Sequence, residues 1–152
     1  MISVEEAQNI IQTQQPNWGE IKMPLVESMG EILAEDIYAD RDFPPFDRVT
    51  MDGIALRFDA FNAGVREFNI QETQLAGMPV VSLKNDTYAI EIMTGAVLST
   101  GCDLMIRYED LEFFERNDQK WVRINLDTVE RWKNVHRQGS DQRSGKLLIS
   151  KI

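Results

Sequence analysis

The chain has one cysteine, one histidine and only 16 Lys and Arg against 25 Asp and Glu. Each shortage removes a class of function. With Cys102 alone, no disulfide framework can form within the chain. One cysteine and one histidine are too few for a structural zinc site, which takes four such ligands. A Ser-His-Asp triad would have to use His136, with Ser140 and Asp141 close by, but nothing around them resembles a nucleophile elbow. A hydrolase that depends on His136 is the least supported reading. The net charge of −9 argues against nucleic acid, whose phosphates call for clustered Lys and Arg, and against anionic membrane surfaces. No Walker loop and no GxGxxG occurs, so standard nucleotide-cradling loops are missing. No apolar run approaches the roughly 20 residues of a membrane span. The start, Met1-Ile2-Ser3-Val4-Glu5-Glu6, lacks the basic region and apolar run of a signal peptide. A soluble cytoplasmic protein is expected.

What remains suffices for folded structure: 152 residues with 43% hydrophobic content accommodate one compact domain or two small ones. Ser3-Val4-Glu5-Glu6 has capping-box spacing, and Val4, Ala7, Ile10 and Ile11 share a helical face, so a helix is expected to end near Gln14, before Pro16. Trp18 reads as a packed cover in a polar loop. Met23-Pro24-Leu25-Val26 reads as a short extended piece, Gly30 as the centre of a turn, and Glu35–Ala39 as a strand. Residues 46–133 read as an all-β body. Phe68/Ile70/Glu72, Tyr88/Ile90/Ile92, Leu104/Ile106/Tyr108 and Trp121/Arg123 each alternate with residues of the other face, as half-buried antiparallel strands do. Gly77, Asn85-Asp86, Gly101 and Asn117-Asp118 mark turns between them. Arg57–Asn62 reads as a short helical turn. A small barrel or sandwich follows.

The densest stretch is Phe43-Pro44-Pro45-Phe46-Asp47-Arg48-Val49-Thr50-Met51-Asp52-Gly53-Ile54-Ala55. Its prolines fix φ and donate no backbone hydrogen bond, so Phe43–Pro45 reads as a stiff extended crossing, followed by Phe46 as an anchor. Asp52-Gly53 reads as a tight turn that presents a carboxylate where the backbone can approach something closely. This stretch resembles the PPFDxSxMDGYA signature of the MoeA family, the molybdopterin molybdotransferases, related to the E domain of gephyrin. Glu91-Ile92-Met93-Thr94-Gly95-Ala96-Val97-Leu98 with Gly101-Cys102-Asp103 is similar to the family's RIMTGAxxPxGAD motif. Asn134-Val135-His136-Arg137-Gln138-Gly139-Ser140-Asp141 is similar to NVRRxGED. The motifs occur in the family's order, and the chain resembles the first two domains of a longer protein. It departs from the pattern at Arg48 and Val49 (usually Asn and Ser), Ile54 (Tyr), Glu91 (Arg), Ser99 (Pro), His136 (Arg) and Ser140 (Glu).

The resemblance implies a mainly β fold with some α: a small β-barrel domain over 46–133, inserted into an elongated α+β arm made of 1–45 and 134–152. It implies insertion of molybdate into adenylylated molybdopterin with release of AMP, by a homodimer whose third domain supplies much of the pterin-nucleotide surface. Asp52, Thr94 and Asp141 match functional positions of the family and are expected to border one cleft between the two bodies. Gly95, Arg137 and Ser140 are the expected ligand-binding neighbours. Both substrates are anions, so Asp52 and Asp141 are expected to place Mg²⁺, which takes one or two carboxylates plus phosphate oxygens, or to orient water. Arg48, Arg137 and Arg143 are the candidate counter-charges, and Thr94 the donor to an oxyanion. The alternative is a non-catalytic β-domain that binds a partner or self-associates.

Overall fold

A computed structural model describes residues 2–14, 16 and 19–151. Trp18 lies outside them. The chain divides into two compact units, 1–37 with 149–152, and 38–148.

In the smaller unit, helix α1 (Val4–Thr13) begins with both halves of the capping box. The Glu6 amide donates to Ser3 Oγ at 3.1 Å, and the Ser3 amide donates to Glu6 Oε2 at 2.8 Å. Two of the donors orphaned at the helix start are thereby satisfied. The helix ends at Thr13 with Gln14 as its C-cap, where its end was expected, but buries none of its residues. Val4, Ile10 and Ile11 are exposed, as are Leu25, Val26 and Met29. Leu25–Glu27 forms a 3-10 turn rather than the extended piece expected. Pro24, with its preset φ, occupies the position before that turn.

The larger unit is built on β2 (Arg48–Val49), β3 (Gly53–Leu56), α2 (Phe58–Asn62), β4 (Glu67–Gln74), β5 (Tyr88–Ile92), β6 (Leu104–Arg107), β7 (Leu111–Arg116), β8 (Gln119–Ile124) and β9 (Val135–His136). Short strands β1 (Ile37–Tyr38) and β10 (Leu147–Ile149) pair with each other. Six strands form one sheet in the order β6-β3-β5-β4-β8-β7, curled into a half-barrel. The fold is mainly β, with few helical residues. Neighbours are antiparallel except β4 and β5, which run parallel with a register shift between Ile70 and Thr73. Alternation predicts faces, not partners, and gave no hint of that pairing.

Burial differs from the half-buried expectation at the sheet's centre. All four residues of β3 are buried, as are Ala89–Ile92 of β5. The reason is that apolar side chains cover both faces. On one side Ile54, Leu56, Phe68, Leu104 and Val122 pack with Phe61 of α2. On the other, Val49, Ala55, Ile90, Ile92 and Met105 form a second cluster. Complete burial of a side chain such as Phe68 stabilises by about 2 kcal/mol. The β7–β8 hairpin turns through Asn117 and Asp118, both at positive φ, the geometry that matches strand twist and that Asn and Asp tolerate.

Gly53 begins β3 and does not form a turn. Its lack of a side chain is nevertheless required. A Cβ there would lie 2.0 Å from the carbonyl oxygen of Ile106 and 2.8 Å from the Cα of Arg107, because β3 runs directly against β6 with Gly53 opposite Arg107. The Phe43–Pro44 bond is cis, and Phe43 bridges Gln142 in antiparallel fashion. Phe46 remains 38% exposed, a weak anchor.

Candidate functional site

Strand β2 is only two residues long, yet it holds two loops. Arg48 lies opposite His136 and Val49 opposite Val135. On its other side the Val49 amide donates to Ala96 O at 3.1 Å, and the Gly95 amide donates to Val49 O at 3.0 Å. Gly95 has φ of 83°, a conformation glycine adopts without a side-chain penalty. Beyond β2, the Thr50 amide and hydroxyl both donate to Asn134 O. The three sequence motifs are thus stitched together by backbone.

Asp52 and Thr94 meet directly. The Thr94 amide donates to Asp52 Oδ1 at 2.7 Å and the Thr94 hydroxyl donates to the same oxygen at 2.8 Å. The amide first, and then the hydroxyl, hold the Asp52 carboxyl below the usual carboxylate range, against a small opposing effect of burial. Asp52 therefore stays ionised and exposed, fixed by a partner 42 positions away. The Thr94 hydroxyl proton points at Asp52, so in this arrangement it does not serve as a donor to an oxyanion.

Asp141 joins a different partner. His136 Nε2 lies 2.7 Å from Asp141 Oδ1, and His136 Nδ1 lies 3.3 Å from an Nη of Arg48. Asp141 makes no hydrogen bond to Asp52 or Thr94. It stands at the opposite end of the β2–β9 register: its amide donates to Phe43 O at 2.9 Å, whereas Asp52 follows Thr50, which bonds Asn134. All three residues lie within the larger unit.

Arg137 stacks over the Trp132 ring at 4.4 Å. With Asp42, Asp47, Gln138, Gly139 and Arg143 it lines an open cavity of about 370 Å³. Both carboxylates there are engaged. Asp47 Oδ1 accepts from the Gln138 amide at 2.6 Å, and Asp42 accepts from the Ser144 amide and the Gln138 side chain. The cavity thus carries two arginines beside two carboxylates whose oxygens are turned to neutral N–H donors. Ser140 lies in the turn beyond, its amide donating to Arg137 O. Sequence reasoning passed over Asp42 and Asp47 as site-builders, although Asp47 sits inside the Phe43–Ala55 stretch.

A second group was also missed. Glu91, almost fully buried, accepts from Lys120 Nζ at 2.8 and 2.9 Å, from the Tyr108 hydroxyl at 2.7 Å and from the Thr73 hydroxyl at 2.8 Å. Burial pushes its carboxyl up, but the bonds from Lys120, Tyr108 and Thr73 outweigh this and hold it below the usual range. Burial and the neighbouring Glu91 raise Tyr108, with a smaller contribution from the Asp52 charge.

Among the described residues, no three His, Cys, Asp or Glu side chains gather to hold a metal ion. The residues present fit Mg²⁺ only in the mode in which one carboxylate is joined by ligand phosphate oxygens and water. Asp52 suits that mode, since both its hydrogen bonds fall on Oδ1.

Comparison with known proteins agrees with the motif reading. Residues 2–152 match the MoeA N-terminal region, domain I and II. The chain is 44% identical over 149 residues to a molybdopterin molybdenumtransferase of Synechocystis, covering 98% of this chain and 37% of that protein. It is 32% identical over 154 residues to the Staphylococcus aureus protein of the same name, covering 99% of this chain and 36% of the relative. A crystal structure of a molybdopterin biosynthesis MoeA protein from Pyrococcus horikoshii superposes with a TM-score of 0.78 at 28% identity, covering 99% of this chain and 38% of that one. The chain thus spans little more than a third of the length of the relatives it matches. No helix among the described residues is long and apolar enough to cross a membrane. With the motifs, the half-barrel and these likenesses in agreement, the chain belongs to the MoeA N-terminal region family, domains I and II.

Proposed function

We propose that the chain supplies domains I and II of a molybdopterin molybdenumtransferase, which inserts molybdate into adenylylated molybdopterin and releases AMP. In this reading the protein works in the cytoplasm as a homodimer, and a third domain carries much of the pterin-nucleotide surface. The observation that carries the reading is the Asp52–Thr94 contact, formed between two family motifs and presented at the surface. A carboxylate held ionised there would repel both anionic substrates unless a cation offsets it. Asp52 would hold Mg²⁺, which when bound would supply positive charge to offset the carboxylate and the phosphates. Alternatively it would orient the attacking water. Arg137 and Arg143 would attract the anion, and Ser140 and Asp141 would border the ligand.

The test is molybdate-dependent AMP release by protein that includes the third domain. Asp52→Asn keeps an acceptor for Thr94 but removes the charge. Turnover should fall about a hundredfold or more, while the chain still unfolds cooperatively, with at most the small loss of charge assistance to the Thr94 bonds. Normal turnover in both Asp52→Asn and Asp52→Ala would sink the assignment. A non-catalytic self-association module is the second reading, favoured by the exposed Val4, Ile10, Ile11, Leu25 and Val26. A chain that dimerises on gel filtration but leaves turnover insensitive to Asp52 would fit that reading instead.

A further inference from the structure

We propose that Arg48 is a positioning residue which, through His136, fixes the direction of the Asp141 carboxylate. The proposal rests on the reading above that Asp141 borders the ligand. The geometry is a chain of side chains that each need the next. Arg48 and His136 are direct cross-strand partners in the β2–β9 ladder, where facing side chains lie close enough to touch. Arg48 Nη lies 3.3 Å from His136 Nδ1, and His136 Nε2 lies 2.7 Å from Asp141 Oδ1.

Arginine has only donors and does not lose its proton in proteins. Where it meets a ring nitrogen, that nitrogen must be the acceptor. His136 therefore carries no proton on Nδ1 and one on Nε2, the form that donates to Asp141. One tautomer satisfies both contacts, and the other satisfies neither. The imidazole is half-buried and Asp141 is exposed, so an otherwise mobile carboxylate gains a fixed donor. Arg48 is itself held by the double backbone attachment of β2 to residues 95–97 and 134–136. The same short strand thereby sets Asp141 and the loop that carries Thr94. Arg48 and His136 are both departures from the family pattern, and they face each other.

His136 is the only histidine, so its imidazole ¹⁵N signals are unambiguous. They should be recorded at a pH high enough for the ring to be neutral. The wild-type chain is expected to show the Nε2–H form alone. In Arg48→Met, the Nδ1 signal should move towards that of a free acceptor, and the second tautomer should appear. An averaged ring or an Nδ1–H form in the wild type overturns the proposal. The functional arm uses AMP release by protein that includes the third domain. His136→Gln can accept through its oxygen and donate through its nitrogen, and should keep turnover within about twofold. His136→Leu should lose about tenfold, the scale of a lost orienting partner. Equal turnover in the two variants overturns the positioning role even if the tautomer is as stated. Absence of turnover in the wild type itself would count against the functional reading alone, and the ¹⁵N spectra would still decide whether Arg48 sets the tautomer.

Discussion

Replacing Gly53 by alanine is the most economical test of how the site is held. The added Cβ would lie 2.0 Å from Ile106 O, 2.8 Å from Arg107 Cα and 2.9 Å from Ile106 C. All three are backbone atoms of β6, so no side-chain rotation relieves the contact. Ordinary contact begins near 3.4 Å, so β3 and β6 must part locally by about 1.4 Å. That separation stretches the ladder across Gly53–Arg107 and Ile54–Ile106. Overpacking of this kind costs about 1–3 kcal/mol, and loss of one or two backbone hydrogen bonds adds about 1 kcal/mol each. The expected total is about 2–5 kcal/mol, a fall in Tm of roughly 4–20 °C for a chain of this size. Urea and thermal unfolding followed by tryptophan fluorescence would measure it. Because Gly53 follows Asp52, the variant should also loosen the Thr94 contact, seen as a shift of the Thr94 amide signal. A destabilisation below about 1 kcal/mol would refute the claim that the two backbones touch here.

Two further outcomes follow from buried groups. Lys120→Met removes the cation from Glu91 but keeps the aliphatic stem. Breaking a buried pair costs several kcal/mol, but Lys120 is half exposed and water screens it, so the expected loss at pH 7 is about 1–2 kcal/mol. The Glu91 carboxyl lies lower in the folded chain than its ordinary value of 4.5. Its contribution is therefore complete above that value and disappears as pH falls through the lower folded one. The stability gap between wild type and Lys120→Met should narrow on acidification below about pH 4.5; a gap constant with pH would refute the pairing. Burial first, and then the Asp103 charge, push the Cys102 thiol up to about 12, against Arg57. A maleimide should leave the native chain unmodified at pH 8 and label it stoichiometrically in urea; rapid native labelling would show that the second core cluster opens.

The elements that could be read from the sequence are those specified locally. The capping box at Ser3–Glu6 placed α1, and the Asn117-Asp118 step placed the β7–β8 turn, because both are set by neighbours in the chain. The all-β character of the larger unit followed from period-2 alternation. Strands β3 and β7 were missed for opposite reasons. Gly53–Leu56 is apolar on both faces and too short to show a period, while Leu111–Arg116 is parted from the preceding strand only by the 3-10 turn Tyr108–Asp110, which no Gly or Pro announces. Candidate site residues were legible as types but not as partners. Asp52 and Thr94 meet because β3 and β5 are paired, with Gly53 opposite Ile92. Arg48 and His136 read singly as departures from a motif. Only the β2–β9 register shows them to be one unit.

The parallel alignment of β4 and β5 has a consequence for how the chain reaches its native state. Strands β6, β3 and β5 form one antiparallel set, and β4, β8 and β7 another. In the sheet's strand order the two sets join at the β4–β5 seam, whose strands are linked by residues 75–87 without an intervening helix. No tight turn can zip such a join from one end, so loop-closure entropy opposes it before contacts reward it. The two sets share one core cluster, so closing the parallel seam that unites them is expected to be the slow event in refolding.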